Sequence, residues 1–159
     1  MNTVFFKHKS IYAILLLTLI IVIPLTGCQK VKPITSAEFQ TIAKNMGYTT
    51  QDTTSDYARY EIVQKSLSIE HNGLRFDFLE IDSKDNAIKY FNTNKNYLKN
   101  KKSGIISESS ENLNSYCMYK LTTNENYYFV KQVEKTLIYA DCPPADSQKV
   151  DDLVKAIKY

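Results

Sequence analysis

The sequence predicts an α+β domain in which about three helices pack on an antiparallel sheet. Three observations support this fold class. An apolar pattern of helical spacing comes first, an Asn-Gly turn then separates two strand-like segments, and three further strand-like segments precede a final amphipathic one. The predicted order of elements is α-β-β-α-β-β-β-α, within a single domain over residues 35–159.

The first helix is predicted to begin after Thr35, because Thr35 and Glu38 have the spacing of a capping box. Ile34 and Phe39 occupy the two positions of a hydrophobic staple. Gly47 is expected to end the helix, since glycine readily adopts the left-handed conformation after a last turn. The apolar face consists of Phe39, Ile42, Ala43 and Met46.

A β-hairpin is predicted next, with strands from about Tyr60 to Glu70 and from Leu74 to Ile81. Asn72-Gly73 is the turn, because both residues tolerate a positive φ. Folding about this turn places apolar residues opposite apolar ones and an acid opposite a base. The predicted cross-strand pairs are Leu67 with Phe78, Ile69 with Phe76, and Glu70 with Arg75.

Ser83 is expected to cap a second helix that reaches about Lys101 and stops before Gly104. Its predicted inner face is Ala87, Ile88, Phe91 and Leu98, with Tyr90 and Tyr97 on the flank.

Residues 107–114 are predicted to form a loop. Three strands follow, Ser115–Leu121, Tyr127–Val133 and Thr136–Cys142, and their short connections predict a meander. A last helix starts near Asp146, with Val150, Leu153, Val154 and Ile157 on one face.

The charge balance excludes one class of partner. The 159-residue chain has 20 Lys and Arg against 17 Asp and Glu, a formal net charge of +3. Lys7 and Lys9 precede position 28, so 18 basic residues remain beyond it. A nucleic-acid-binding domain carries a basic excess on its folded part. We therefore expect no nucleic-acid partner.

Residues 1–27 have the pattern of an export signal read by the Sec pathway. Lys7 and Lys9 precede an apolar run, Ile11–Ile23, which ends at Pro24. As a helix this run rises only ~20 Å, against the ~30 Å of hydrocarbon in a bilayer. A short apolar run after a positive segment favours a cleaved signal peptide over a permanent membrane helix.

Leu25-Thr26-Gly27-Cys28 resembles the lipobox of bacterial lipoproteins, in which a small residue precedes an obligatory Cys. The resemblance implies that Cys28 is lipidated on sulfur, acquires acyl chains such as palmitate, and becomes the first residue after signal cleavage. Two acyl chains hold a protein stably on a membrane. Residues 28–34 are then a lipidated tether, and the domain lies at the outer face of the bacterial cytoplasmic membrane. The alternative is an ordinary signal with Cys28 as a free thiol.

Two further cysteines, Cys117 and Cys142, form a possible disulfide, since an exported protein meets an oxidising environment. The predicted meander places them on its two outer strands and on opposite faces, with Cys142 across from Tyr127 and Cys117 across from Gln132. Because bridged Cα atoms lie within ~7 Å of each other, this arrangement favours two separate thiols. Another strand order would allow the bridge.

One face of the meander is a candidate partner surface. Lys131 lies mid-sheet, and burying its charge is expensive, so at least part of its face is expected to meet solvent or a partner. The opposite face, with Tyr119, Leu121, Tyr128, Val130, Leu137 and Tyr139, is assigned to the core. An exposed mixture of aromatic and basic residues suits an envelope polymer or protein. The alternative is ordinary strand propensity, since tyrosine suits a half-buried pleated surface. The candidate surface consists of Lys120, Tyr127, Phe129 and Lys131.

No pattern of residues identifies catalysis. His71 is the only histidine after the signal and lies beside the predicted turn, where solvation explains it. Paired carboxylates such as Asp77 and Glu80 remain a formal option. The sequence contains no Cys-x-x-Cys and no phosphate-binding Gly-rich loop. We assign no catalytic residue, cofactor or metal ligand.

The mature chain resembles the small uncharacterised lipoproteins of low-G+C Gram-positive bacteria in size, lipobox and its composition rich in Lys, Asn, Ile and Tyr. The expected function is a membrane-anchored surface lipoprotein with a non-catalytic binding or accessory domain. The alternative is a small cell-envelope hydrolase, which requires a concave site with converging polar groups.

Overall fold

The computed structural model describes residues 31–100 and 104–159, and the lipobox with Cys28 lies outside them. The described residues form a mixed α/β fold, with three helices and a seven-stranded antiparallel sheet, which confirms the predicted class. Within the described ranges, no helix combines the length and the apolar character that crossing a bilayer requires.

The described elements follow one another along a simple chain path. The sheet order is β1-β2-β3-β7-β6-β5-β4, and every neighbouring pair is antiparallel. The elements are α1 (Ser36–Asn45), β1 (Gln51–Asp52), a 3-10 turn (Thr54–Tyr57), β2 (Val63–His71), β3 (Leu74–Ile81), α2 (Lys84–Asn100), β4 (Ile105–Leu113), β5 (Tyr116–Thr123), β6 (Tyr127–Val133), β7 (Thr136–Cys142), a 3-10 turn (Pro144–Asp146) and α3 (Ser147–Ala156).

The local sequence signals act as expected at the first helix. The Thr35 N–H donates to Glu38 Oε2 at 2.7 Å, and the Glu38 N–H donates to Thr35 Oγ1 at 3.3 Å, which is the capping box. Gly47 follows the helix with φ +85°, a conformation that a side chain would strain.

The hairpin register is confirmed residue by residue. Asn72 and Gly73 have φ values of 49° and 83°, as the turn between β2 and β3 requires. The pairs Leu67 with Phe78, Ile69 with Phe76, and Glu70 with Arg75 all form.

Helices cover both faces of the sheet, so the molecule has three layers. On one face, called here the α1/α3 face, Phe39 of α1 and Leu153 of α3 pack against sheet residues such as Phe78. On the other, the α2 face, Phe91 and Leu98 of α2 pack against the second half of the core. All seven residues of β6 are buried, because this central strand has a helical layer on each side.

The prediction that residues 107–114 form a loop is wrong. Most of that segment belongs to β4, a nine-residue strand that pairs with β5 at the edge of the sheet. All nine residues are exposed, so the segment lacks the apolar alternation by which a half-buried strand is recognised. Backbone pairing with β5 forms this strand. The two-residue β1 is a second departure from the predicted order.

Candidate functional site

The aromatic residues of the predicted partner surface are buried. Tyr127 is 5% exposed and Phe129 is 1% exposed, since α1 and α3 cover this face of the sheet. The expectation that these two side chains form an open surface is wrong. The residues of the opposite face do lie in the core, except Tyr139, which is only partly buried.

The two lysines of that surface are also engaged within the protein. Lys120 Nζ lies 2.9 Å from Asp151 Oδ1 and 5.3 Å from the centre of the Phe129 ring. Lys131 is only 6% exposed, and its Nζ lies 4.1 Å from the centre of the Tyr116 ring. Burial lowers the pKa of the Lys131 ammonium, because the charged form is poorly solvated there. The fold therefore buries a charge that was expected to stay in contact with solvent or a partner.

Cys117 and Cys142 are free thiols in the structure, so the disulfide alternative does not form. They lie on β5 and β7, which β6 separates, and they belong to the cores on opposite faces of the sheet. The predicted neighbours are confirmed, with Cys117 across from Gln132 and Cys142 across from Tyr127. Cys117 Sγ donates to Asn112 Oδ1 at 3.3 Å.

The residues considered for catalysis do not meet. Asp77 lies on the α2 face, whereas Glu80 lies on the α1/α3 face, where it accepts a hydrogen bond from the Ser36 N–H. His71 lies at the end of β2, with its ring 5.9 Å from that of Tyr48 in an edge contact. No two of these three residues form an acid–base pair.

A polar pocket of about 310 Å³ opens on the α2 face, between that helix, the 3-10 turn at Thr54–Tyr57, and strands β3 and β7. All but one of its lining side chains carry a polar group. The lining residues are Tyr57, Arg75, Asp77, Leu79, Tyr90, Asn94, Tyr97, Tyr139 and Asp141.

Strand register assembles the floor of this pocket. The β3–β7 ladder places Arg75 beside Asp141 and Asp77 beside Tyr139. Residues two apart on a strand point to the same face, so these four polar side chains share one patch of the sheet.

Asp77 is the most buried charged group in the lining, with its side chain 3% exposed. Ser68, its partner across the β2–β3 ladder, donates to Asp77 Oδ1 at 2.7 Å. Arg75 contacts Asp77 Oδ2 through Nε at 2.8 Å and Nη2 at 2.7 Å. Asp77 raises the pKa of the Arg75 guanidinium, whose side chain is 49% exposed. The pair therefore holds a fixed donor group at the mouth of the pocket.

Helix α2 supplies one wall through Tyr90, Asn94 and Tyr97, which have the spacing of one helical face. Asn94 Nδ2 donates to the Tyr90 carbonyl oxygen at 2.9 Å, which fixes the amide orientation. On the floor, the Tyr139 hydroxyl donates to Asp141 Oδ2 at 3.2 Å.

Three of the pocket tyrosines, Tyr57, Tyr90 and Tyr139, are neutral at physiological pH. Burial raises the pKa of Tyr90 to about 12. Burial also raises the pKa values of Tyr57 and Tyr139, and for Tyr139 the nearby Asp141 adds to the effect. Each of these hydroxyls can therefore both donate and accept a hydrogen bond.

Two larger grooves, of about 490 and 630 Å³, border helix α1. The charged residues that line them, Glu38, Lys44 and Lys158, are exposed. The α2-face pocket differs from these grooves because it contains a buried carboxylate, Asp77, that is hydrogen-bonded to Ser68 and Arg75. Among residues 31–100 and 104–159, no group of three or more His, Cys, Asp and Glu residues is placed to hold a metal ion.

Sequence reasoning did not identify this pocket, although it placed some of its parts. It put Tyr90 and Tyr97 on the flank of α2 and matched Arg75 with Glu70 in the hairpin. Tyr139 was assigned to the core. The missing information was the pairing of β3 with β7, which joins residues more than fifty positions apart.

Comparisons with protein-family models, with curated proteins and with solved structures return no match for this chain. Function is therefore inferred from the chemistry of the pocket and from the sequence pattern at Cys28.

Proposed function

We propose that this chain is a membrane-anchored cell-surface lipoprotein, and that its domain is a non-catalytic binding module with its ligand site in the α2-face pocket. The anchor is inferred from the resemblance of Leu25–Cys28 to a lipobox. The binding role is inferred from the pocket.

The observation that carries the binding role is the Ser68–Asp77–Arg75 network. A buried carboxylate costs free energy unless it is paired and hydrogen-bonded, and here both of its oxygens have donors. The network fixes the Arg75 guanidinium beside the pocket, which reduces the conformational entropy lost on binding.

The same contacts favour binding over hydrolysis. The two carboxylates in the pocket accept hydrogen bonds from neighbouring side chains, Asp77 from Ser68 and Arg75, and Asp141 from Tyr139. The Asp77–Glu80 pair considered for a hydrolase is divided between opposite faces of the sheet. The pocket lining includes neither His nor Cys.

The anchor places the domain close to the membrane. Ile34 already packs against the core of the α1/α3 face, and it lies six positions after Cys28. Six extended residues span at most ~20 Å. The domain is thus held near the lipid headgroups.

Replacement of the anchoring thiol tests this proposal. Cys28→Ser is expected to abolish incorporation of labelled palmitate and to release the protein from the membrane fraction or leave its precursor uncut. Cys117→Ser makes the same chemical change inside the domain and is the matched control, expected to behave as the wild type. Fractionation and gel mobility of the three proteins measure the outcome. Unchanged labelling, processing and membrane retention of Cys28→Ser would contradict the anchor.

A further inference from the structure

The α2-face pocket presents hydrogen-bond donors and acceptors in alternation. Arg75 is a pure donor and the Asp141 carboxylate is a pure acceptor. Asn94 and the tyrosine hydroxyls do both, and the bond to the Tyr90 carbonyl uses only one of the two Asn94 Nδ2 hydrogens. A ligand hydroxyl also donates and accepts, so a ligand with several hydroxyl groups matches this lining.

The charges of the pocket offset one another. Arg75 is paired with Asp77 and lies beside Asp141 in the β3–β7 ladder, and both acids raise the pKa of Arg75. An anionic ligand would meet two carboxylates against one guanidinium. A cationic ligand would have to compete with Arg75 and with the Tyr139 hydroxyl for Asp141. The arrangement favours an uncharged ligand.

The size and the aromatic content of the pocket limit the ligand further. A volume of about 310 Å³ lies at the small end of the range of ~300–1,000 Å³ for ligand pockets. Tyrosine presents an apolar ring and a polar tip, which suits a ring-shaped ligand with C–H groups on its faces and hydroxyls on its rim.

We infer that the α2-face pocket binds an uncharged, polyhydroxylated ligand the size of one sugar ring, such as one residue of a cell-envelope polysaccharide. This inference rests on the proposed binding function and adds the ligand class to it. The ligand is held by hydrogen bonds to Asn94, Asp141 and the hydroxyls of Tyr90 and Tyr139, with Arg75 at the mouth.

Saturation-transfer NMR on the full-length protein tests the ligand class. The protein is kept in a polyoxyethylene detergent, which carries neither sugar nor charge. The probes are D-glucose and N-acetyl-D-glucosamine, with choline and acetate as charged probes of similar or smaller size. Saturation transfer is expected to at least one of the two sugars and to neither charged probe at equal concentration.

Three conservative variants locate the binding. Tyr90→Phe and Tyr139→Phe each remove a pocket hydroxyl and are expected to weaken sugar binding about fivefold, the effect of one hydrogen bond. Tyr48→Phe is the matched control on the opposite face of the sheet and is expected to leave binding unchanged. Thermal unfolding of all three variants establishes that each remains folded.

Four outcomes overturn the inference: no transfer to either sugar, stronger transfer to choline, stronger transfer to acetate, or equal sugar binding by Tyr90→Phe and Tyr48→Phe. Membrane fractionation of the same protein reports on the anchor separately. Choline binding that Tyr90→Phe weakens would preserve the anchored binding module and replace only its ligand class. A protein that binds sugar but leaves the membrane would lose the anchor and keep the ligand class.

Discussion

Lys131 shows how the fold accommodates a charge in the middle of a buried sheet. Its strand, β6, is covered on both faces, and the ammonium lies against the face of the Tyr116 ring. A cation over an aromatic ring gains about 0.5–2 kcal/mol, which offsets part of the desolvation. Because of that cost, the sequence predicted that at least part of this face meets solvent or a partner, whereas the fold buries it.

Lys131→Met tests this account of the buried ammonium. Burial lowers the pKa of Lys131 in the folded protein below 10.5, its ordinary value, so the cost of the charge is present at neutral pH. That cost is relieved as the pH rises through the folded pKa toward 10.5. At neutral pH the Met variant should be no less stable than the wild type, and up to ~1 kcal/mol more stable.

Urea unfolding of wild type and Lys131→Met at a series of pH values measures the difference. The stability of the wild type relative to the variant should rise as the pH increases toward 10.5 and level off above it. Tyrosine ionisation affects both proteins and cancels in the comparison. Lys120→Met is the control, and it should be destabilised by up to ~1 kcal/mol because it loses the Asp151 ion pair. A difference between wild type and Lys131→Met that does not change with pH would contradict the account.

The elements whose position depends on residues close together in the sequence were predicted correctly. Asn72-Gly73 determines a two-residue turn, and the turn then determines the register of β2 with β3. Thr35 and Glu38 likewise define the start of α1 through contacts only three residues apart. The β3–β7 ladder has no such local signal, and β4 carries no apolar alternation. The candidate site depends on that ladder, so its parts were recognisable from the sequence while their assembly was not.

The position of β6 between β5 and β7 predicts the redox state of the two domain cysteines. Because β6 intervenes, Cys117 and Cys142 should remain thiols even in an oxidising medium. Burial raises the pKa of both thiols, that of Cys142 to about 11, so the folded protein should react slowly with iodoacetamide.

Mass spectrometry after alkylation without a reductant measures this outcome. Alkylation in urea should add two groups to the domain, and alkylation of the folded protein far fewer. A sample first treated with dithiothreitol is the control and should give the same mass in urea. A gain of the two groups only after dithiothreitol treatment would show that a disulfide forms.

At the scale of the whole molecule, the three layers bury several tyrosine side chains fully or in part. Burial is the largest cause of a raised pKa for six of them, and a hydrogen bond to Glu111 is the largest cause for Tyr116. The six are Tyr57, Tyr90, Tyr119, Tyr127, Tyr139 and Tyr159.

These tyrosines predict the alkaline limit of stability. Each has an ordinary pKa of about 10 in the unfolded chain and a higher one in the folded protein. The stability they contribute is therefore present below pH 10 and is lost as the pH rises above it. Ultraviolet absorbance of phenolate should rise together with the loss of circular dichroism in one cooperative step above about pH 10. Gradual ionisation centred near pH 10, with the circular dichroism unchanged, would contradict this.

The hydrogen bond from the Ser36 N–H to Glu80 bears on where the mouth of the pocket lies relative to the start of the domain. It fastens the start of the domain to the far end of β3, whereas Arg75 lies five residues back along the same strand. Five strand residues span ~17 Å, and the two side chains point to opposite faces of the sheet. If Cys28 is anchored in the bilayer as we propose, the Glu80 end of β3 lies nearer the membrane, and the pocket mouth at Arg75 lies at the end farther from the lipid.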